Sequence, residues 1–390
     1  MSGLKNVVII GAASGGATVA RALAKSLPET HRIVLIDANE AAFWQVAGLR
    51  ASVQPGFEDK LFADLATFWK PGSRHIVKPK TKVTELGEDF VVTDAGEKIS
   101  FDYAVLAMGA KYQTPGRQAS HSKAESIASL KQMQAQIAAA RHILVVGGGP
   151  VGVEFIGEVI SQYSGKDKKK ITLVHNGKQL IGSKYSASLH SKLSAQLQKA
   201  GVHVLLEESI PSEQLPSSTG SLEAARTFTT AKGTSVGDVD FALLSFSGKP
   251  NSQLVSAFDA SAVDPATQWV RVDEQSLHVL SDDAGKMQRY FALGDVSDAP
   301  GGKLVAQINN QGPVIAANIA ALVRSSSSKA ATAGIKLNAY KPLPTFIAVP
   351  LGPAGGAIQT PIATLGEWTV SLIKGKGLFL SNFQSLYKSQ

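Results

Sequence analysis

The sequence predicts an α/β protein of two Rossmann-like dinucleotide-binding units, the second inserted in the first and followed by a small α+β element. Three observations predict it. The run VVIIGAASGG puts Gly11, Ala13 and Gly16 in a turn between an apolar strand and a helix. ILVVGGGPVG repeats the arrangement with Gly147, Gly149 and Gly152. Such a turn lets main-chain N–H groups at a helix N-terminus approach a pyrophosphate that side chains would exclude. One copy is a weak signal. Two copies in matching contexts imply two dinucleotides in one chain, and passage of electrons between them. Finally, 390 residues with 44% hydrophobic and 18% charged content fit an ordinary globular α/β chain of two or three domains.

The elements follow in order. Residues 5–10 and 33–36 read as buried parallel strands flanking a helix that starts near Ser14 and keeps helical apolar spacing over Val19–Leu27, where Pro28 ends it. Val83–Leu86, Phe90–Thr93 and Ile99–Ser100 read as a small antiparallel insertion with a turn at Asp94–Gly96. Tyr103–Gly109 is a buried strand ending in a glycine turn, and Gln113–Ser122 a polar linker. A helix over Ser126–Ala140 leads into the second strand–turn–helix at Ile143–Ile160. Ser164–Lys170 is a basic surface loop before the strand Ile171–Val174. Gln214–Gly220 is a Pro/Ser-rich loop, and Asp240–Ser247 a buried strand. Tyr290–Asp295 is followed by a helix over Ala306–Arg324, a break from Ser325–Ser328 into Ala-rich residues, and a separate element over Leu337–Gln390.

Composition excludes several classes. The chain has no cysteine, so disulfides, thiolate metal sites and cysteine redox relays are excluded, and no metal site is expected. No run of about 18 apolar residues suggests a membrane span. MSGLKN leads directly into the first strand without room for a leader, and Ser2 is not the glycine of a myristoylation signal. A cytoplasmic location follows, or one at a membrane face. Net charge is +8, and residues 303–390 hold Lys303, Arg324, Lys329, Lys336, Lys341, Lys374, Lys376 and Lys388 against one acid, Glu367. This basic, Trp- and Phe-bearing region reads either as a solvated face or as a contact with an anionic membrane surface. No nucleic-acid motif accompanies it.

Within the first unit, Asp37 ends the second strand, 26 residues after Gly11. A carboxylate there accepts hydrogen bonds from both ribose hydroxyls of an adenosine. The equivalent position in the second unit is His175, as RIVLID aligns with KITLVH. Loss of the acid removes the repulsion against a 2′-phosphate, which His175 and Lys178 are placed to contact. The nicotinamide cofactor is therefore written NAD(P)H, with a lean toward NADPH.

GAASGG with Asp37, the turn Ala107–Gly109, GGGPVG with Glu154, and FALGD at Phe291–Asp295 occur in an order that resembles the FAD-dependent pyridine nucleotide oxidoreductases, whose fold is glutathione-reductase-like. FWQVAGLRA at Phe43–Ala51 and KGKGLFLSNF at Lys374–Phe383 resemble the apoptosis-inducing-factor-like branch that includes ferroptosis suppressor proteins.

The resemblance implies an FAD domain over residues 1–122 and 248–330, an NAD(P)H domain over 123–247, and a C-terminal element over 331–390. It implies that Gly11, Ala13, Ser14, Gly16 and Asp37 hold the ADP half of FAD. Arg50 is expected near the pyrophosphate, Val83 at the adenine, and Ala107 and Gly109 in a turn beside the cofactor. Gly294 and Asp295 are expected at the ribityl chain, with Val305 and Ala306 opening a helix toward the flavin. Glu154 is expected by the nicotinamide carboxamide. Gln307 and Gln311 read either as flavin or acceptor neighbours or as ordinary polar positions on a surface helix. The resemblance further implies hydride transfer from NAD(P)H to FAD and onward to an acceptor. The missing cysteines and the tail favour a quinone, with Phe346, Trp368, Phe379, Leu380 and Phe383 either around a prenyl tail or covering the core of the FAD domain. An iron–sulfur protein acceptor and a slow-turnover redox signalling role are the alternatives.

Overall fold

The computed structural model describes residues 3–283, 285–327 and 335–389. Met1, Ser2 and much of the expected break after Ser325 lie outside the described residues.

The last four residues of strand β1 (Lys5–Ile10) are buried, and helix α1 (Ser14–Ala24) follows after three residues. Next come β2 (His31–Ile36) and the short β3 (Ile76–Lys78), then a three-stranded antiparallel insertion of β4 (Val83–Leu86), β5 (Phe90–Thr93) and β6 (Lys98–Ser100). Strand β7 (Tyr103–Leu106) returns to the first sheet. Helix α2 (Lys123–Ala139) starts three residues before its expected position because Ser122 Oγ caps it, accepting from Glu125 N. The second unit then runs β8 (His142–Val146), α3 (Pro150–Gln162), β9 (Lys170–His175), α4 (Ala187–Lys199), β10 (His203–Leu206), β11 (Gly220–Thr229) and β12 (Ser235–Leu244). Strand β13 (Tyr290–Ala292) and helix α5 (Val305–Ser327) go back to the first unit. The chain closes with β14 (Ile347–Leu351), β15 (Gly355–Gln359), β16 (Thr364–Leu365), α6 (Glu367–Val370), a π-helical turn at Ser371–Gly375, and α7 (Leu380–Tyr387).

Two five-stranded sheets carry the fold, in orders β13-β7-β1-β2-β3 and β10-β9-β8-β12-β11. In each, the strand before the glycine turn is central and parallel to both neighbours: Val8 faces Val34 and Ala104, and Val145 faces Leu173 and Leu243. Central strands buried on both faces read as unbroken apolar runs, which is why β1 and β8 are so plain in the sequence. Parallel strands also bring both turns to the carboxyl ends of the strands, where open α/β sheets bind ligands.

Helix α1 packs on α5 without a spacer: a Cβ on Gly312 would come within 2.7 Å of Thr18 Cγ2. The sequence reading missed β11, the edge strand antiparallel to β12. Most of its residues face solvent, so neither burial nor alternation marks it.

The last 50 residues are not separate. The β14–β16 sheet lies on α3, where a Cβ on Gly157 would approach Leu351 Cα to 2.3 Å. The tail instead joins the core of the first unit: Phe383 stacks on Trp44 at 5.3 Å, Trp44 Nε1 donates to Leu378 O at 2.7 Å, and Arg21 donates to the carbonyls of Leu386 and Lys388 at the end of α7.

Candidate functional site

The two glycine turns have the same local build. Gly11 (φ 100°) and Gly147 (φ 115°) need their positive φ, and a Cβ on either would lie 2.4 Å from a carbonyl, of Ala107 or of Ser245. On Gly16 and Gly152 a Cβ would collide with the carbonyls of Gly11 and Gly147. These four glycines are thus required by the protein's own packing. The middle position differs. At Gly149 a Cβ would meet nothing within 4 Å, so the second turn presents open backbone there.

Ala13 and Gly149 are the N-caps of α1 and α3, and neither helix has a side-chain cap, which leaves first-turn N–H groups free for an anion. Two uncapped helix N-termini behind tight glycine turns fit the pyrophosphates of two dinucleotides. Ser14, at the start of α1, is buried.

At the first turn, Asp37 accepts from Ala12 N at 2.5 Å and from the main-chain and side-chain nitrogens of Asn39, both at 2.8 Å. Burial raises its pKa against the pull of these donors. Thr81 N donates to Asp37 O, so Val83, two residues on in β4, lies on the same side of the turn. Ala107 and Gly109 flank the turn from β7. Tyr387 of the tail donates to Ala12 O at 2.7 Å, and burial raises its pKa, helped by Asp37.

At the second turn, the His175 ring packs on Gly148, where a Cβ would come within 2.8 Å of His175 Cγ. Its Nε2 lies 3.2 Å from Gln179 O, and burial holds its pKa below the usual histidine value. Lys178 is exposed beside it.

Asp295 and Gly294 form a third cluster. Asp295 Oδ2 accepts from Arg117 Nη2 at 3.1 Å and Tyr112 OH at 3.2 Å; burial and this carboxylate push Tyr112 up to about 12. Lys303 donates to the carbonyls of Gly294 and Ser297, and burial lowers its pKa. Val305 and Ala306 form the first turn of α5. Gln311 Oε1 accepts from Gly294 N at 3.0 Å and ties that helix to the cluster.

Three expectations change. Gln307 and Gln311 are buried rather than surface positions. Gln307 is consumed internally: Oε1 accepts from Tyr340 OH and Leu343 N, and Nε2 donates to Leu343 O. It holds the 340–343 segment through its oxygen and one of its two amide N–H donors. Arg50 is also engaged elsewhere. It makes a two-point ion pair with Glu158 of α3 at 2.8 and 2.9 Å and donates to the carbonyls of Gly375 and Lys376. Four of its five N–H groups are thereby used inside the protein. Nor do the five tail residues form one pocket: Phe383, Phe379 and Leu380 pack into the core of the first unit, whereas Trp368 and Phe346 are exposed.

Glu154, one turn into α3, is buried and bonded at 2.7 Å to Lys374, whose Nζ also donates to Ala348 O. Burial raises the Glu154 pKa, and the ammonium opposes that rise. Sequence reasoning singled out Glu154 but not its partner, 220 residues away. Arg117, Tyr112 and Tyr387 were missed likewise, since each joins its cluster only through tertiary packing. Among the described residues there is no group of three or more His, Asp or Glu placed to hold a metal ion.

This arrangement defines a two-dinucleotide oxidoreductase. The model of the family described as pyridine nucleotide-disulphide oxidoreductase matches residues 5–316, and the chain belongs to that family. Its cofactors are FAD and NAD(P)H.

Apoptosis-inducing factor homolog A of Dictyostelium discoideum is 28% identical over 401 residues, covering 99% of this chain and 92% of that one. Human ferroptosis suppressor protein 1 is 28% identical over 387 residues, covering 97% and 95%. These likenesses place the chain in their branch. Among solved structures, the sulfide:quinone oxidoreductase of Aquifex aeolicus matches with a TM-score of 0.75 at 15% identity, covering 98% of this chain and 91% of that one. That likeness bears on the fold.

Proposed function

We propose that this chain is an NAD(P)H:quinone oxidoreductase, with FAD at the first glycine turn and NAD(P)H at the second. The flavin, when bound, supplies the two-electron relay between nicotinamide and acceptor. The residues do the rest. Gly11, Ala13, Ser14, Gly16, Asp37, Val83, Ala107 and Gly109 bind the adenylate end of FAD, and Gly294, Asp295, Val305 and Ala306 its other end, with Gln311 fixing the helix start. Gly147, Gly149, Gly152, His175 and Lys178 bind the NAD(P)H adenylate, and the missing acid at position 175 favours NADPH. Hydride transfer needs alignment and exclusion of water more than an acid–base triad.

The observation that carries the acceptor reading is the Glu154–Lys374 pair together with the total absence of cysteine. Without thiols, disulfide reduction through a cysteine pair is excluded, despite the family's name. Lys374 brings the C-terminal segment against the helix that opens the nicotinamide site. A quinone oxygen gaining electrons there meets an ammonium that stabilises its charge and carries a proton. The human relative named a ferroptosis suppressor and the sulfide:quinone oxidoreductase likeness in fold agree with this reading.

The test is stopped-flow reduction of the yellow protein by NADPH and by NADH, followed by mixing with a short-chain quinone. Rapid reduction and rapid reoxidation are expected. Rapid reduction with no reoxidation by any quinone, but with transfer to an iron–sulfur protein, rejects the quinone. Turnover that is slow with every acceptor points to the signalling role.

A further inference from the structure

The basic segment Ser164–Lys170 belongs to neither glycine turn. It links α3 to β9 and carries Lys166, Lys168, Lys169 and Lys170 against one acid, Asp167. It also forms one side of a cleft of about 210 Å³. The other side is apolar: Val159, Ile160 and Tyr163 at the end of α3, Ile171 of β9, and Ala200 and Val202 after α4. Val159, Ile171 and Val202 are buried core residues of the second unit, so this floor is fixed in place.

Two polar groups at the cleft are not used by the protein. Lys168 Nζ lies over Gly201, where a Cβ would come within 2.9 Å of it. Among the described residues it has no hydrogen-bond or ion-pair partner. Tyr163 OH has none either, and burial raises its pKa. Lys169, by contrast, is anchored: its Nζ donates to Ala138 O at 2.5 Å and stands 4.6 Å from the centre of the Tyr163 ring. The acids that act on Lys169 are Asp167 and Asp240. Asp240 accepts from the main-chain N–H groups of Arg141 and His142, and Asp167 is exposed.

We propose that this cleft binds a small aromatic carboxylate, its ring on the apolar floor and its charge at Lys168. Size supports a single ring. An apolar cavity of about 150 Å³ holds benzene, so this one takes a ring with a short acidic arm. The Tyr163 ring in the wall favours an aromatic body over a chain, and its hydroxyl is a spare donor for a carboxylate. Charge supports an anion. The C-terminal ends of α3 and α4 meet here and contribute about half a negative charge each. Lys168 and Lys169 outweigh them, with Lys166 and Lys170 in solvent close by in the chain. The second glycine turn lies at the other end of α3, a helix of 13 residues and so roughly 20 Å long. The ligand therefore does not compete with NAD(P)H, and the inference stands or falls without any particular electron acceptor.

The experiment titrates phenylacetate into the full FAD-loaded chain by calorimetry, with and without saturating NADP+. A dissociation constant of about 0.1–1 mM is expected, unchanged by NADP+. Phenylacetamide keeps the ring and lacks the charge, and should bind about tenfold more weakly. Lys168→Ala should weaken phenylacetate by a similar factor, with the denaturant midpoint and turnover with NADPH and ferricyanide unchanged. Ala200→Leu puts a larger side chain into the cleft and should abolish binding, while acetate should not bind measurably. No binding of phenylacetate overturns the inference. So does binding that NADP+ displaces, which assigns the ring to the nicotinamide cradle, or binding that Lys168→Ala leaves intact. Phenylacetamide binding as tightly makes the cleft a neutral apolar site, and acetate binding as tightly leaves an adventitious ion only; either result rejects the proposal.

Discussion

The two glycine turns share their backbone and differ in what the rest of the chain puts over them. The first has an acid at the following strand end, and Tyr387 of the tail is bonded to the turn itself at Ala12 O. The second has His175 in place of the acid, open space beyond Gly149, and Lys178 in solvent. The chain closes one cradle with its own last helix and leaves the other accessible. A cradle closed by the protein suits a cofactor that stays; an open one suits a cofactor that comes and goes at every turnover. The same motif thus serves two opposite requirements, and the distinction is made by residues outside it.

Substitutions break or sharpen this contrast, beginning with the largest effect. Arg50→Ala strips Glu158 of its buried partner and should cost about 3–5 kcal/mol, read as a lowered denaturant midpoint for the whole chain. If stability is unchanged, the joint between the two units is not energetically real. Gly149→Val fills the open space of the second turn only. The protein should fold and stay yellow, while reduction by NADPH falls by about 100-fold in stopped flow. His175→Asp makes the second turn resemble the first and should move preference from NADPH toward NADH by about tenfold, measured as the ratio of kcat/KM values.

Tyr387→Phe opens the first turn slightly. Losing one buried hydrogen bond of about 1 kcal/mol should speed FAD release about fivefold and leave KM for NADPH untouched. The smallest effect concerns pH. Burial holds His175 below its ordinary pKa, so the ring is neutral at pH 7 and gains charge only as pH falls. A charged ring attracts a 2′-phosphate, so affinity for NADPH relative to NADH should rise about twofold between pH 7 and pH 5.5; a ratio independent of pH removes His175 from the phosphate site.

The parts visible in the sequence are those dictated by local backbone demands. Gly11, Gly16, Gly147 and Gly152 must be glycine, and β1 and β8 must be apolar throughout, so both units announce themselves. The strand end at Asp37 or His175 is readable by counting from the turn. Residues whose role depends on a distant partner were not visible: Lys374 meets Glu154, Arg117 meets Asp295, and Tyr387 meets Ala12 only in the folded chain. Arg50 and Gln307 show the converse. Their residue types suited a ligand, but tertiary neighbours took up their hydrogen-bonding groups first. The edge strand β11 escaped because a solvated strand carries no burial pattern.

One guanidinium is bonded at once to α3 and to the carbonyls at the end of the π-helical turn, from a base in the first unit. Moving the nicotinamide unit away would break the two bonds to Glu158, and lifting the tail the two bonds to its carbonyls. One side chain thus holds both neighbours of the first unit, so its removal loosens two contacts together.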